Sequence, residues 1–161
     1  MSHTLIDILD TFNTYWLNAD AVSNDTFSGF KEYCTSLQKH FTGEQKAIAL
    51  LTETMLLRSS NKHVEADELV NASRRRFNRI KDPLYAHRWK RMQLVDEMRI
   101  GNTAKIYNDV KQLAAQAEEE GWYHEQMRAL VLIHLVESYM GHFKKAIESA
   151  ARRRQLARPS P

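Results

Sequence analysis

Asn61, Gly101 and Gly141 stand 40 residues apart, and each separates two long helix-compatible stretches. Five residues after each break comes a small or apolar residue (Ala66, Ile106, Ala146), and four further on come Val70, Val110 and Ala150. A repeat of this length constrains the fold more than any other feature. One helical hairpin cannot bury its apolar face alone, so successive hairpins stack on each other. The period predicts an all-α chain of about eight helices, a single right-handed α-solenoid of stacked hairpins over residues 1–161. The alternative is a compact bundle, which the same amphipathic stripes would satisfy. Arrays of hairpins hold other molecules more often than they catalyse.

Composition supports the helical reading and narrows the setting. Five glycines and three prolines, two of the prolines within the last three residues, leave few breakers for a turn-rich β fold. The hydrophobic fraction of 43% and charged fraction of 27% are those of an ordinary globular chain. No apolar run approaches the roughly 18 residues of a membrane span. The start, Met1-Ser2-His3-Thr4, lacks the basic and apolar regions of a secretion signal. Cys34 is the only cysteine, which excludes an internal disulfide and reads as a half-buried small hydrophobe. These features together predict a cytoplasmic protein without a membrane partner.

Local signals place the helices. Leu5, Ile8, Leu9, Phe12, Trp16 and Leu17 predict a helix over residues 4–18, and Asn24-Asp25 caps a second one carrying Phe27, Phe30, Tyr33, Cys34, Leu37 and Phe41. This first hairpin, residues 1–41, fits the period loosely, as an end repeat does. Three further hairpins follow at 42–80, 81–120 and 121–158. Thr42 with Gln45 three residues on is a capping box, Asp82-Pro83 restarts the chain, and Gly121 ends a helix with a left-handed cap.

The segment Tyr139-Met140-Gly141-His142-Phe143-Lys144-Lys145-Ala146-Ile147 resembles the centre of a tetratricopeptide (TPR) repeat. In that family a Gly closes the first helix, an aromatic follows two residues later, and a small Ala three after that lets paired helices approach. Ala150 and Pro159 also fall near the family's later small and terminal-proline positions. Asn61 with Ala66 keeps half the pattern, Gly101 with Ile106 places a large residue where Ala is usual, and Glu137 stands where the family often has an aromatic. The likeness covers residues 42–159. The repeat is longer than the usual 34 residues or so. It looks like bacterial sensor modules attached to signalling or transcription-regulating domains, including some that carry GGDEF domains. The resemblance implies a TPR-like superhelix that binds a protein or peptide and acts as the sensory or docking part of a larger regulator.

No cofactor, metal or catalytic constellation stands out. His134 and Glu137 share one side of a helix without a second pair, as do His63 and Asp67, and the glycines form no phosphate-cradling loop. The expected role is therefore non-enzymatic. Basic residues are more informative, running from Arg74, Arg75, Arg76 and Arg79 through Lys81, Arg88, Lys90 and Arg91, then Arg152, Arg153, Arg154 and Arg158. One reading is structural: cations meet helix C-terminal dipoles, and a cross-repeat ladder sets Glu119 near Arg79 and Arg158. The other is a surface for an anionic partner. Nucleic acid is the runner-up, since such a surface favours exposed aromatics among the arginines.

In TPR arrays the first helix of each hairpin lines the concave face. Carried across on the three turn anchors, those positions select Arg58, Arg88, Arg91, Arg99, Arg128 and Tyr139, above Leu51, Met55, Val95, Met98 and Leu135. An arginine-rich groove with an apolar floor suits an acidic peptide or protein segment, because guanidinium forks pair with carboxylates. A helical wheel of residues 129–140 instead puts its polar side at His134, Glu137 and Ser138, an alternative groove-facing column. The last helix still carries apolar residues on one face where an array needs a polar cap. That leaves a shortened chain, a continuing polypeptide or a homodimer contact through this helix.

Overall fold

Reversal of the chain at each 40-residue mark rests on one residue with positive φ. In the computed structural model, which describes residues 24–157, Asn61 has φ 59°, Gly101 91° and Gly141 76°. The hydrogen bonds around them repeat as well. The Asn61, Gly101 and Gly141 N–H groups donate to the carbonyls of Arg58, Met98 and Ser138, each at 3.1 Å. Lys62, Asn102 and His142, next in sequence, donate to Leu57, Glu97 and Glu137 at 2.9, 3.1 and 2.8 Å. This paired closure is the Schellman motif, which satisfies helix-terminal carbonyls and needs a left-handed residue at its corner. Gly121, at φ 72°, closes a fourth helix the same way, with Trp122 donating to the Ala117 carbonyl at 2.9 Å.

The elements in order are α1 (Asn24–Leu37), a short 3-10 turn (Gln38–His40), α2 (Gly43–Ser59), α3 (His63–Phe77), α4 (Pro83–Arg99), α5 (Thr103–Glu120), α6 (Tyr123–Tyr139) and α7 (Phe143–Ala157). All are helical, and the described residues contain no strand. The helix expected over residues 4–18 lies outside the described residues, as do Trp16, Arg158 and Pro159. Helix starts follow their local signals. Thr42 Oγ1 accepts from the Gln45 N–H while the Gln45 side chain accepts from the Thr42 N–H, completing the capping box. Asp82 caps α4 by accepting from the Tyr85 N–H at 3.1 Å.

The described residues fall into two compact units that meet inside α4, between residues 86 and 87. In the first, α2 is buried nearly all round, through Ala47, Ile48, Leu51, Thr52, Met55 and Leu56 among others. Its partner α3 buries only one stripe, Ala66, Val70, Ser73 and Phe77. The buried hydroxyl of Thr52 donates to the Ile48 carbonyl of its own helix, which satisfies that donor inside the core.

The second unit repeats this division of labour. α6 contributes Ala129, Leu130, Leu132, Ile133 and Val136 to a core completed by Leu94 of α4 and by Ile106, Val110, Leu113 and Ala114 of α5. α7 packs along α6 mainly through Ala146, whose small side chain permits the approach. The residues five after each turn, Ala66, Ile106 and Ala146, are all buried.

Gly101 and Gly141 have open space where a Cβ would stand, so alanine there meets only the torsional penalty of the left-handed state. Gly101→Ala and Gly141→Ala should each destabilise by about 1–2 kcal/mol in urea unfolding. Asn61→Gly should cost nothing. Unchanged stability in the two alanine variants would contradict the turn assignment.

Candidate protein-interaction site

Glu125 lies in the first turn of α6, where a carboxylate meets the positive end of the helix dipole. It is 1% exposed. Arg88 and Arg91, one turn apart on α4, both point at it. Arg88 Nε donates to Oε1 at 2.9 Å and Arg91 Nε to Oε2 at 3.1 Å. Arg128 adds Nη1 at 4.0 Å from one turn further along α6. The buried His87 ring completes the enclosure. Its Nε2 lies 2.9 Å from the Leu113 carbonyl, which can only accept, so that nitrogen carries the proton. Nδ1 then faces Glu125 at 3.7 Å, and Trp122 meets the ring edge-on at 5.3 Å.

Burial alone would raise the Glu125 pKa, but the nearby charges of Arg91, Arg128 and Arg88, with the contact from His87, hold it well below the carboxylate range. Burial and repulsion from Arg91 push Arg128 down to about 9, against the pull of Glu125. Both groups remain charged at neutral pH.

Three of the six sequence-selected residues, Arg88, Arg91 and Arg128, thus converge, on a carboxylate that sequence reasoning did not single out. The available signal was the i,i+3 spacing of Glu125 and Arg128. Arg58 lies in the other unit and meets Asp67 at 3.6 Å. Arg99 is exposed, and Tyr139 is 71% exposed.

Tyr139 has company. Leu135 on α6, with Phe143 at 67% and Ile147 at 65% on α7, leaves an apolar surface on both sides of the Gly141 turn. On the opposite side of α7, a hollow of about 550 Å³ runs between α5 and α7 over Leu130 and Ile133 of α6. Buried Glu137 stands in it, accepting from Tyr107 Oη at 2.9 Å and from the Ser149 hydroxyl. Burial and that hydrogen bond raise the Tyr107 pKa. His134 instead meets the Ala146 carbonyl at 2.8 Å, so the polar column of α6 serves α5 and α7. Arg152 pairs with Glu118 at 2.8 Å across the hollow, while the expected Glu119 rung to Arg158 falls outside the described residues. Among the described residues no cluster of His, Cys, Asp or Glu could hold a metal ion. No described helix is long and apolar enough to cross a membrane.

Comparison with protein-family models, curated proteins and solved structures finds no match to this chain.

Removing Glu125 leaves buried cations uncompensated. Glu125→Ala should destabilise by about 3–5 kcal/mol, and replacing Glu125 and Arg88 together by Leu and Met should recover part of the loss. Because the folded pKa is depressed, the ionic contribution of Glu125 is present above the unfolded value of about 4.3 and is lost as pH falls from there through the folded value. The stability gap between wild type and Glu125→Gln, measured in urea, should therefore narrow between pH 7 and pH 3. A constant gap would refute the ionic account.

Proposed function

We propose that this chain is a non-catalytic docking module, a TPR-like α-solenoid that holds an acidic protein segment for a larger signalling or regulatory protein. The observation that carries the reading is the exposed apolar surface of the last hairpin, Leu135, Tyr139, Phe143 and Ile147. Large side chains grouped outside the core mark interaction sites. The recurrence of one turn geometry every 40 residues supports a repeat architecture. The charge of α7 favours an acidic partner, since besides Arg152, which pairs with Glu118, it carries Lys144, Lys145, Arg153 and Arg154 against one acid, Glu148. The same excess makes a second copy of α7 an unfavourable neighbour.

Titration chemistry fits a binding role. Glu125 is pushed down, Tyr107 up and Cys34 up to about 11, all away from neutrality, while Arg128, brought down to about 9, stays charged there. The runner-up, nucleic-acid binding, draws on exposed Arg74, Arg75, Arg76 and Arg79, but Phe77 among them is buried and offers no stacking face.

Phe143→Ser combined with Ile147→Ser should leave stability within about 0.5 kcal/mol, because neither side chain is part of the core. The double variant should weaken binding to an acidic partner. The wild-type chain should bind duplex DNA and RNA no more tightly than the non-specific range of about 10⁻⁴–10⁻⁶ M at physiological salt. Much tighter binding with a steep salt slope would replace this reading with the nucleic-acid one. Dimers seen in sedimentation and abolished by the double serine variant would make the surface a self-contact.

A further inference from the structure

We propose that the N-terminal unit carries a two-part peptide groove, an apolar anchor hollow continuous with a cationic one, that takes an acidic protein segment bearing one bulky apolar side chain. This rests on the docking-module reading and gives it a second, specific site.

The apolar part is a hollow of about 190 Å³ lined by Phe30 and Cys34 of α1, by Phe41, and by Ala49 and Leu50 of α2. Small-molecule pockets run to roughly 300–1,000 Å³, so this space suits one anchoring side chain and not a whole ligand. Burial, reinforced by the charge of Glu53, pushes the Cys34 thiol up to about 11, which keeps that side chain uncharged beside the charged residues that also line the hollow. Lys31 and Glu53, which also line it, meet at 3.6 Å.

The cationic part, about 450 Å³, lies between the first turn of α2 and the end of α3. Gly43 and Ala47 keep it open, and Lys46, Arg76 and Arg79 wall it. Its one acid, Glu44, is turned to another task, since Oε1 accepts from the Lys81 and Asp82 N–H groups at 2.9 and 2.8 Å. Among the described residues the side chains of Lys46, Arg76 and Arg79 form no ion pair. Three cations facing one space repel, and a carboxylate entering it relieves that repulsion.

Lys46 and Arg76 line both hollows, so the proposed groove runs past these two side chains from one to the other. A free phosphate would occupy only the cationic end. A single-stranded nucleic acid would need exposed aromatic faces, whereas Phe30 at the apolar end is buried. An acidic peptide with an apolar anchor uses both ends, its carboxylates meeting the guanidinium forks of Arg76 and Arg79.

Fluorescence anisotropy with the whole chain tests this. The probe is a labelled dodecapeptide with one Phe among glutamates, compared with the same peptide carrying Ser for Phe or Lys for Glu, and with inorganic phosphate as competitor. The Phe–Glu peptide should bind best. Arg76→Glu with Arg79→Glu should weaken it about tenfold or more, and Arg76→Gln with Arg79→Gln by an intermediate factor. Cys34→Phe, which fills the anchor hollow, should weaken the Phe peptide and leave the Ser peptide unchanged. Circular dichroism confirms that each variant is folded. Equal binding of the Ser peptide, full competition by phosphate, or indifference to both Arg76/Arg79 pairs overturns the groove. Binding that ignores those pairs but falls with Phe143→Ser and Ile147→Ser overturns the groove while sparing the docking-module reading. Absence of binding by any glutamate peptide overturns both.

Discussion

The Schellman closure reverses a helix within a few residues by placing one residue in the left-handed region, which a Cβ disfavours. Gly101, Gly121 and Gly141 meet that requirement without penalty, and Asn61 meets it at φ 59°, an angle that asparagine tolerates better than most side chains. Each hairpin then inherits its geometry from the corner. The outer helix starts at a set distance from the end of the inner one, so the residue five beyond the turn lands against the inner helix. Ala66, Ile106 and Ala146 are buried for that reason.

The second unit adds a constraint of a different kind. Glu125 at 1% exposure would be strongly disfavoured as a lone charge, and the guanidiniums of Arg88 and Arg91 offset its desolvation through short, directed contacts. Such a cluster demands a particular placement of α4 against α6, because Nε–carboxylate geometry tolerates little error. His87 ties the same place to α5 through the Leu113 carbonyl. One carboxylate thus fixes three helices. The side chains that hold it are correspondingly poor subjects for charge reversal, whereas exposed Arg99, Arg76 and Arg79 can be altered without removing a buried pair.

Inner and outer helices carry different burdens. α2 and α6 are surrounded and contribute most of the apolar mass, while α3 and α7 bury a single narrow stripe and show the rest to solvent. An outer helix that needs so little for its own packing has residues to spare. On α7 they are Phe143, Ile147 and the arginine run. On α3 and the turn after it they are Arg76 and Arg79, set beside Lys46 of the adjoining helix.

Helix boundaries were legible in the sequence because their causes act within about four residues. The Thr42–Gln45 box, the Asp82 cap before Pro83 and the left-handed corners at Asn61, Gly101, Gly121 and Gly141 all stand where local chemistry places them. The 40-residue period reappears as one hydrogen-bond pattern at three turns. Convergence of side chains was another matter. Glu125 is 37 residues from Arg88 and 34 from Arg91, and Lys46 is 30 from Arg76, so no local rule links them. Sequence spacing could put Arg88, Arg91 and Arg128 on comparable helix positions, but whether they opened to a ligand or closed on a carboxylate depended on how α4 and α6 pack. The sequence by itself determined where the helices begin, end and turn. The tertiary structure alone decided which charges became buried partners and which remained at the surface, because that depends on distances across helices that no local interaction sets.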